Sequence, residues 1–299
     1  MVLAAGRGTR LRPLTDMCAK PLLPVGDRPA IAHVLGRMRS AGVERIVVNA
    51  HHRAADVVAF ARAHGVEVSE EPDLLGTAGG VARAAAALGP GDAIVWNGDI
   101  LADVDVEALV AAHARDGAVA TLVVRPRRGG EGSVGVDAQG WVVRLRSESF
   151  GPEAQGGDFV GVSVLGAWLR SELPERGCLV ADAWIPALRA GRLVRALAYA
   201  ADFYDIGTPE RYWSANMAWL KGRGGASFVG AGASVAPGVS LDRCVVGEGA
   251  AVAGAGTLAG CVVWPGGRAV APLSNAIVAV GSLVVTAGAG ANPGTSPGI

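Results

Sequence analysis

The residues in this chain best suited to chemistry lie in Leu3-Ala4-Ala5-Gly6-Arg7-Gly8-Thr9-Arg10-Leu11-Arg12-Pro13-Leu14-Thr15 and, closely after it, Lys20-Pro21-Leu22-Leu23-Pro24-Val25. An apolar run leads into a glycine-rich loop carrying arginines, and a lysine followed by proline comes next. Glycine has no Cβ, so the backbone N–H groups of such a loop can approach a phosphate closely. Arg10, Arg12 and Lys20 add fixed positive charge, and together these features predict a polyphosphate site. The spacing excludes a Walker A loop, which needs Gly, four residues and Gly-Lys-Ser/Thr. It also excludes the dinucleotide fingerprint, whose third glycine falls where this chain has Leu11.

The elements that must position this loop alternate between strand and helix patterns over the first 220 or so residues. Residues 2–5 read as a strand entering the loop. Pro29 stands where a helix can begin, and Ile31, Val34, Leu35 and Met38 recur at helical spacing up to Gly42. Residues 45–49 read as a strand, 54–64 as a helix and 66–69 as a short strand. Gly76-Thr77-Ala78-Gly79-Gly80 reads as a second glycine loop opening an alanine-rich helix over 81–88. Residues 93–97 form a buried-type strand that ends at Gly98-Asp99. This order predicts an α/β fold, a Rossmann-like, mostly parallel sheet with helices on both faces. Ligands of such sheets bind beyond the carboxyl ends of the strands, where both glycine loops and Asp99 fall. Further on, 133–136 and 141–145 read as a hairpin, 159–165 and 193–199 as strands, and Thr208 as the N-cap of a helix from Pro209 through Leu220.

Composition bounds the rest. The 299 residues are 51% apolar with zero formal net charge. No basic stripe supports nucleic-acid binding. No run of roughly 18 apolar residues or leader pattern is present, which gives the expectation of a soluble cytoplasmic protein with no membrane partner. Cys18, Cys178, Cys244 and Cys261 lack metal-site spacing and read as free thiols. His51-His52 reads as a polar loop, Glu70-Glu71 as a solvated strand end, and Trp213 and Trp219 as packing for the last helix.

Beyond residue 221 an internal repeat appears. Residues 229–245 align with 246–262 at nine of seventeen positions, and a looser third copy begins at Val263. Val229, Val235 and Leu241, then Val246, Val252 and Leu258, recur about every six residues with glycine and small residues between, the pattern of a hexapeptide β-helix. The expected organisation is a catalytic domain over 1–221, a linker over 222–227, a small left-handed β-helix over 228–285 and a disordered tail over 286–299. A stack this short needs capping by the catalytic domain or by a second copy of the chain.

The order L-A-A-G-x-G-T-R-L-x-P-L-T followed by K-P-L-L-P-V resembles the signature of the sugar-1-phosphate nucleotidylyltransferases, the NDP-sugar pyrophosphorylases. The later motifs agree, and the resemblance covers nearly the whole chain. It implies that Leu3, Ala4, Ala5, Gly6, Gly8, Thr9, Arg10, Gly76, Thr77, Gly79, Gly80, Asn97 and Gly98 bind nucleotide, with residues 76–80 under the base. It implies that Asp99 of Asn97-Gly98-Asp99 and Asp205 of the D-I-G-T-P-E-R-Y element over 205–212 are Mg²⁺ ligands, as suits a hard ion that prefers oxygen. A sugar phosphate would attack the α-phosphorus of an NTP, with Arg10 on the departing phosphates and Lys20 on the α-phosphate or the incoming phosphate. Catalysis is then positioning plus charge neutralisation. Gly135, Glu148, Val160 and Gly161 are the implied sugar contacts.

The chain departs from the family in that region. Where many members carry Glu-Lys-Pro, it reads Arg146-Ser147-Glu148-Ser149-Phe150, with serine in place of the lysine, and Arg144 and Arg146 are the nearby cations. The strand over 159–165 lacks the usual asparagine. Similar departures occur in the branch resembling N-acetylmuramate-1-phosphate uridylyltransferases, while the repeat resembles that of mannose-1-phosphate guanylyltransferases. GTP with a mannose-type sugar phosphate is the leading expectation. The alternatives are a uridylyltransferase for an amino-sugar phosphate, a CTP-dependent enzyme for another phosphorylated acceptor such as phosphocholine, and a non-catalytic nucleotide-sugar sensor. With only Met1 and Val2 before the motif, either the natural start lies upstream or the first strand is short.

Overall fold

The computed structural model describes residues 1–287. The chain forms two compact units whose described parts are Met1–Arg7 with Val34–Phe203, and Gly8–His33 with residues 204–287.

In chain order the main elements of the catalytic motifs are β1 (Val2–Leu3), α1 (Ala30–Ser40), β2 (Val47–Ala50), α2 (Ala54–Ala63), β3 (Glu67–Glu70), α3 (Gly76–Arg83), β4 (Ala93–Asn97), α4 (Val106–Asp116), β5 (Ala120–Arg127), β6 (Val134–Val136), β7 (Val142–Leu145), β8 (Gln155–Leu165) and β9 (Val194–Ala198). Strands β3, β2, β1 and β4 are neighbours in that order and run parallel, with Val2 opposite both Val48 and Trp96. Val2, Val47, Val48, Val95 and Trp96 are all buried, as expected of strands covered on both faces. The sheet continues past β4 through β8, which is antiparallel to it, with Val162 opposite Trp96. Strand β8 also pairs with β5 and β6. Its register against β5 shifts between Phe159 and Ser163, across Gly161 at φ 90°. That bulge bends the strand, which pairs with three neighbours, β4, β5 and β6, along its length. The expected hairpin is present as β6 and β7. Trp184, Leu122, Val124 and Leu165 lie in the core packed on this sheet.

Three local readings need correction. The first strand stops at Leu3 rather than residue 5. Gly76 to Gly80 is not a loop before a helix: α3 starts at Gly76, and the alanine-rich stretch continues as a separate turn, Ala85–Leu88. Glu71 is not solvated but 4% exposed, whereas Glu70 is exposed as expected.

The second unit holds α5 (Pro209–Gly222), two residues longer than its apolar pattern suggests. Thr208 caps it, its hydroxyl accepting from Arg211 N–H at 3.4 Å. Tyr212 is fully buried and donates to Pro24 O at 2.5 Å, while Asn216 Oδ1 accepts from Gly26 N–H at 2.9 Å. Burial pushes the Tyr212 phenol pKa up. Trp219 lies where a Cβ on Gly26 would be, 2.1 Å away, and Trp213 donates to Gly260 O at 2.7 Å. Both indoles therefore pack the helix, as anticipated.

The repeat forms parallel ladders at its own period. Phe228 and Val229 pair with Val245 and Val246, and these with Val262 and Val263; Val235 pairs with Val252, and Val252 with Ala269. The looser third copy closes sooner, so that Val262 faces Ile277, fifteen residues on. Val246, Val252 and Leu258 are buried with Cys244 and Cys261, whereas Val229 is 44% exposed and Val235 and Leu241 are half-buried. Among the described residues the first copy forms ladders with the second copy on one side only, which accounts for the difference. None of the four cysteines forms a disulfide. Strand Val284–Thr286 ends the described fold, and the expected disordered tail lies, beyond residue 287, outside the described residues. Among the described residues no helix is long and apolar enough to cross a membrane.

Candidate functional site

In the first unit the opening motif and the Asn97-Gly98-Asp99 motif are neighbours. Leu3 is opposite Asn97, and Gly98 N–H donates to Leu3 O at 2.8 Å. Asp99 sits half-buried in the turn after β4, closed by the Trp96 indole N–H donating to Ile100 O at 3.0 Å. Gly6 is exposed, and nothing lies within 4 Å of where its Cβ would be, so its backbone is open to a ligand. Ala4 is different: it is buried, and its N–H is spent on Asn49 Oδ1 at 2.6 Å.

The glycines of α3 serve close approach to protein. A Cβ on Gly76, at φ 79°, would lie 2.3 Å from Gly177 O, and one on Gly79 would lie 2.5 Å from Glu175 O. A Cβ on Gly80 would meet Asn49 Nδ2 and Glu71 Oε1 at 2.7 and 2.8 Å. Thr77 Oγ1 accepts from Leu179 N–H at 2.8 Å. Helix α3 thus begins where it does because its first turn is tied to segment 175–179 and its approach to Glu71, whose Oε2 accepts from Leu75 N–H at 3.1 Å. Asn49 and Glu71 carry no motif of their own. A buried polar residue in the apolar run Val47-Val48-Asn49-Ala50 is the one sequence signal that could have found them.

In the second unit Gly8 takes φ 61°, the left-handed conformation that glycine adopts without strain. Its carbonyl accepts from the buried Thr15 hydroxyl at 2.9 Å, which folds Thr9-Arg10-Leu11 into a short turn. Lys20 and Asp205, far apart in sequence, come together with Lys20 Nζ 3.9 Å from Asp205 Oδ1, their side chains 12% and 18% exposed. Arg211 Nη1 donates to Asp205 Oδ2 at 3.0 Å. A Cβ on Gly207 would lie 2.8 Å from Asp205 Oδ1 and 3.3 Å from Arg10 Nη2, so Arg10 belongs to the same cluster. Arg10, Lys20 and Arg211 therefore gather about the Asp205 carboxylate, which concentrates fixed cations at one place. Arg211 was not singled out from the sequence, although it lies inside the D-I-G-T-P-E-R-Y element.

In the expected sugar region, Glu148 is held by Arg189 through two bonds of 2.6 and 2.7 Å, and that guanidinium keeps its carboxyl below the usual range. Val160 is fully buried. A Cβ on Gly135 would lie 2.4 Å from Glu153 Oε2, and one on Gly161 would lie 3.0 Å from Asn97 Nδ2. Arg144 is consumed by Glu153 at 2.7 and 3.1 Å and by the carbonyls of Gly132, Arg146, Glu131 and Val134. Arg146, at φ 55°, reaches Cys178 Sγ at 3.7 Å.

Residues 1–147 match the nucleotidyl transferase family. Over 262 residues the chain is 32% identical to a mannose-1-phosphate guanylyltransferase of Mycobacterium tuberculosis, a match that takes in 81% of this chain and 72% of that protein. The chain belongs to the nucleotidyl transferase family. Within that family it is also 43% identical over 114 residues to an N-acetylmuramate alpha-1-phosphate uridylyltransferase of Neisseria meningitidis, covering 36% of this chain and 49% of the relative. The family fold recurs in HddC from Yersinia pseudotuberculosis, solved with GMP-PN. The TM-score is 0.61 at 21% identity, over 73% of this chain and 97% of that one.

Proposed function

We propose that this nucleotidyltransferase joins the nucleotidyl group of an NTP to a sugar 1-phosphate. A phosphate oxygen of the sugar phosphate forms the new bond to the α-phosphorus. The α–β bridging bond breaks, and pyrophosphate leaves with the electron pair. The observation that carries this reading is the convergence of Arg10, Lys20 and Arg211 on Asp205. Fixed cations from both opening motifs gathered about one carboxylate support the reading, since phosphoryl-type transfer without a protein nucleophile relies on positioning and charge neutralisation. Arg10 then holds the departing phosphates and Lys20 the reacting one.

Asp99 and Asp205 are the residues we assign to a Mg²⁺ ion. Among the described residues no group of three or more His, Cys, Asp and Glu is placed to hold a metal. Magnesium in such enzymes takes only one or two carboxylates besides substrate phosphates, so a donor set of aspartate oxygens fits. When bound, the ion neutralises phosphate charge. For the repeat we propose a hexapeptide β-helix, supported by its ladders at the seventeen-residue period.

GTP and a mannose-type sugar phosphate are favoured by the relative that matches over most of its length. The 43% identity to a uridylyltransferase supports UTP with an amino-sugar phosphate as the second reading. Because Arg144 is already saturated, Arg146 is the cation we assign in place of the absent lysine. Pyrophosphate release from GTP, UTP and CTP, each crossed with a panel of sugar 1-phosphates and with phosphocholine, tests the function. Release from one sugar phosphate pair is expected. Silence on every pair with nucleotide sugar still bound would refute catalysis and favour a sensor.

A further inference from the structure

Thr208 caps α5, so Pro209, Glu210 and Arg211 are its first three helical residues. The exposed N–H groups of that turn favour anions and disfavour cations, and the third position behind a threonine cap suits glutamate or glutamine. An arginine there works against the helix, and its side chain shows what offsets this. The guanidinium turns back to Asp205, with Nη1 donating to Oδ2 at 3.0 Å and both side chains under one-quarter exposed. Gly207 leaves the space for this return, because a Cβ there would lie 2.8 Å from Asp205 Oδ1.

Lys20 approaches the same carboxylate at its other oxygen, Oδ1, but at 3.9 Å, outside hydrogen-bond distance. At that separation attraction would draw a flexible lysine and a carboxylate not otherwise held into contact. The arginine opposes this in two ways. Its charge already compensates the carboxylate, and its planar guanidinium fixes the direction in which the carboxylate points. A lysine ammonium, a point charge on a flexible stem, supplies only the first. A closed Lys20–Asp205 pair would tie up both the cation assigned to the reacting phosphate and the carboxylate assigned to Mg²⁺.

We propose that Arg211 is a positioning residue that holds Asp205 by Oδ2 and so keeps the carboxylate from closing on Lys20. Oδ1 is thereby left to the divalent cation and Lys20 to the reacting phosphate. This rests on the nucleotidyl-transfer reading and its Mg²⁺ assignment. Arg211 need touch neither substrate.

The test titrates Mn²⁺ into the full chain together with a non-hydrolysable analogue of the NTP that the parent turns over. Free Mn²⁺ is read by electron paramagnetic resonance, and turnover is measured alongside. Arg211→Met is expected to weaken Mn²⁺ binding at least about threefold. Charge alone predicts the opposite sign, since deleting a cation beside a carboxylate tightens its hold on another cation. A smaller weakening, or tighter binding, therefore overturns the proposal. Turnover gives the second arm. In a Lys20→Met background Arg211→Met is expected to cost at most about a third of its fold-loss in the parent, because the pair it keeps apart no longer exists. A larger share overturns the proposal. Arg211→Lys keeps the charge without the planar fork, and it decides if Arg211→Met does not fold. Mn²⁺ bound about twofold more weakly or worse then supports the proposal, and anything less overturns it. Asp205→Asn separates the two levels of the argument. If the parent releases no pyrophosphate, or Asp205→Asn leaves Mn²⁺ binding unchanged, the underlying reading fails and the proposal with it. If Asp205→Asn weakens Mn²⁺ binding while Arg211→Met fails either arm, the proposal fails alone.

Discussion

Replacing Lys20 by methionine keeps the stem and removes the charge, so it separates catalysis from folding. In the folded protein Lys20 Nζ lies 3.9 Å from Asp205 Oδ1, with both side chains under one-fifth exposed. At that distance two unit charges attract by about 4 kcal/mol at an effective dielectric constant near 20. Most of this is offset by desolvation of the pair, and Asp205 keeps Arg211 at 3.0 Å. The net stability loss should therefore be on the order of 1–2 kcal/mol, below the roughly 3–5 kcal/mol that follows when a buried charge is stranded. In a chain of this size that lowers Tm by only several degrees, at about 2–4 °C per kcal/mol. Turnover should fall far more. Loss of one preorganised group aimed at developing charge costs about 10²–10³ in rate, or roughly 3–4 kcal/mol. The assay pairs continuous pyrophosphate release with a thermal melt. Turnover within threefold of the parent, at any Tm, would refute the role of Lys20. A fall in rate matched by loss of the folded state would refute the separation.

Two further outcomes concern stability. His113 is 5% exposed, with Nδ1 2.9 Å from Thr121 Oγ1 and Nε2 3.6 Å from Asp92, and burial lowers its pKa below the ordinary 6.5 against the opposing pull of Asp92. Below about pH 6.5 the unfolded chain takes up a proton that the folded one refuses, so stability falls with pH until the lowered pKa is reached. Denaturant midpoints should drop on acidification across that window. The drop should be smaller in His113→Gln but still present, because burial lowers His33 in the same direction; an identical slope in the variant would contradict the assignment. In the repeat, Leu258→Ala should cost about 2–5 kcal/mol as a buried cavity, and Leu241→Ala clearly less because Leu241 is only half-buried. Equal losses by chemical denaturation would contradict that difference in burial.

Glycines, arginines and carboxylates in residues 3–25, 76–80, 97–99 and 205–212 stood out as candidates because close backbone approach and fixed charge suit a phosphate ligand, and their order resembles the family's. The apolar periods of β2, α2, β4 and the repeat were legible because burial on one or two faces repeats with the element's own geometry. Position 71 was misread for the converse reason. A Glu-Glu pair at a strand end looks solvated unless it is known that Asn49 and Leu75 stand opposite, and those partners lie 22 and four residues away. The start of α3 at Gly76 failed likewise, since glycine disfavours helix locally and the segment 175–179 that tolerates no Cβ there is a hundred residues distant.

The amino-acid sequence by itself determined the class of chemistry and the strands that carry it, because those depend on residue type and local period. Only the tertiary structure decided what each polar side chain is committed to. It ties Ala4 N–H to Asn49, saturates Arg144, pairs Glu148 with Arg189, and brings Arg211 and Lys20 onto Asp205. Hydrogen bonds and ion pairs are satisfied by whichever partner the fold brings within reach, and that reach has no period along the chain.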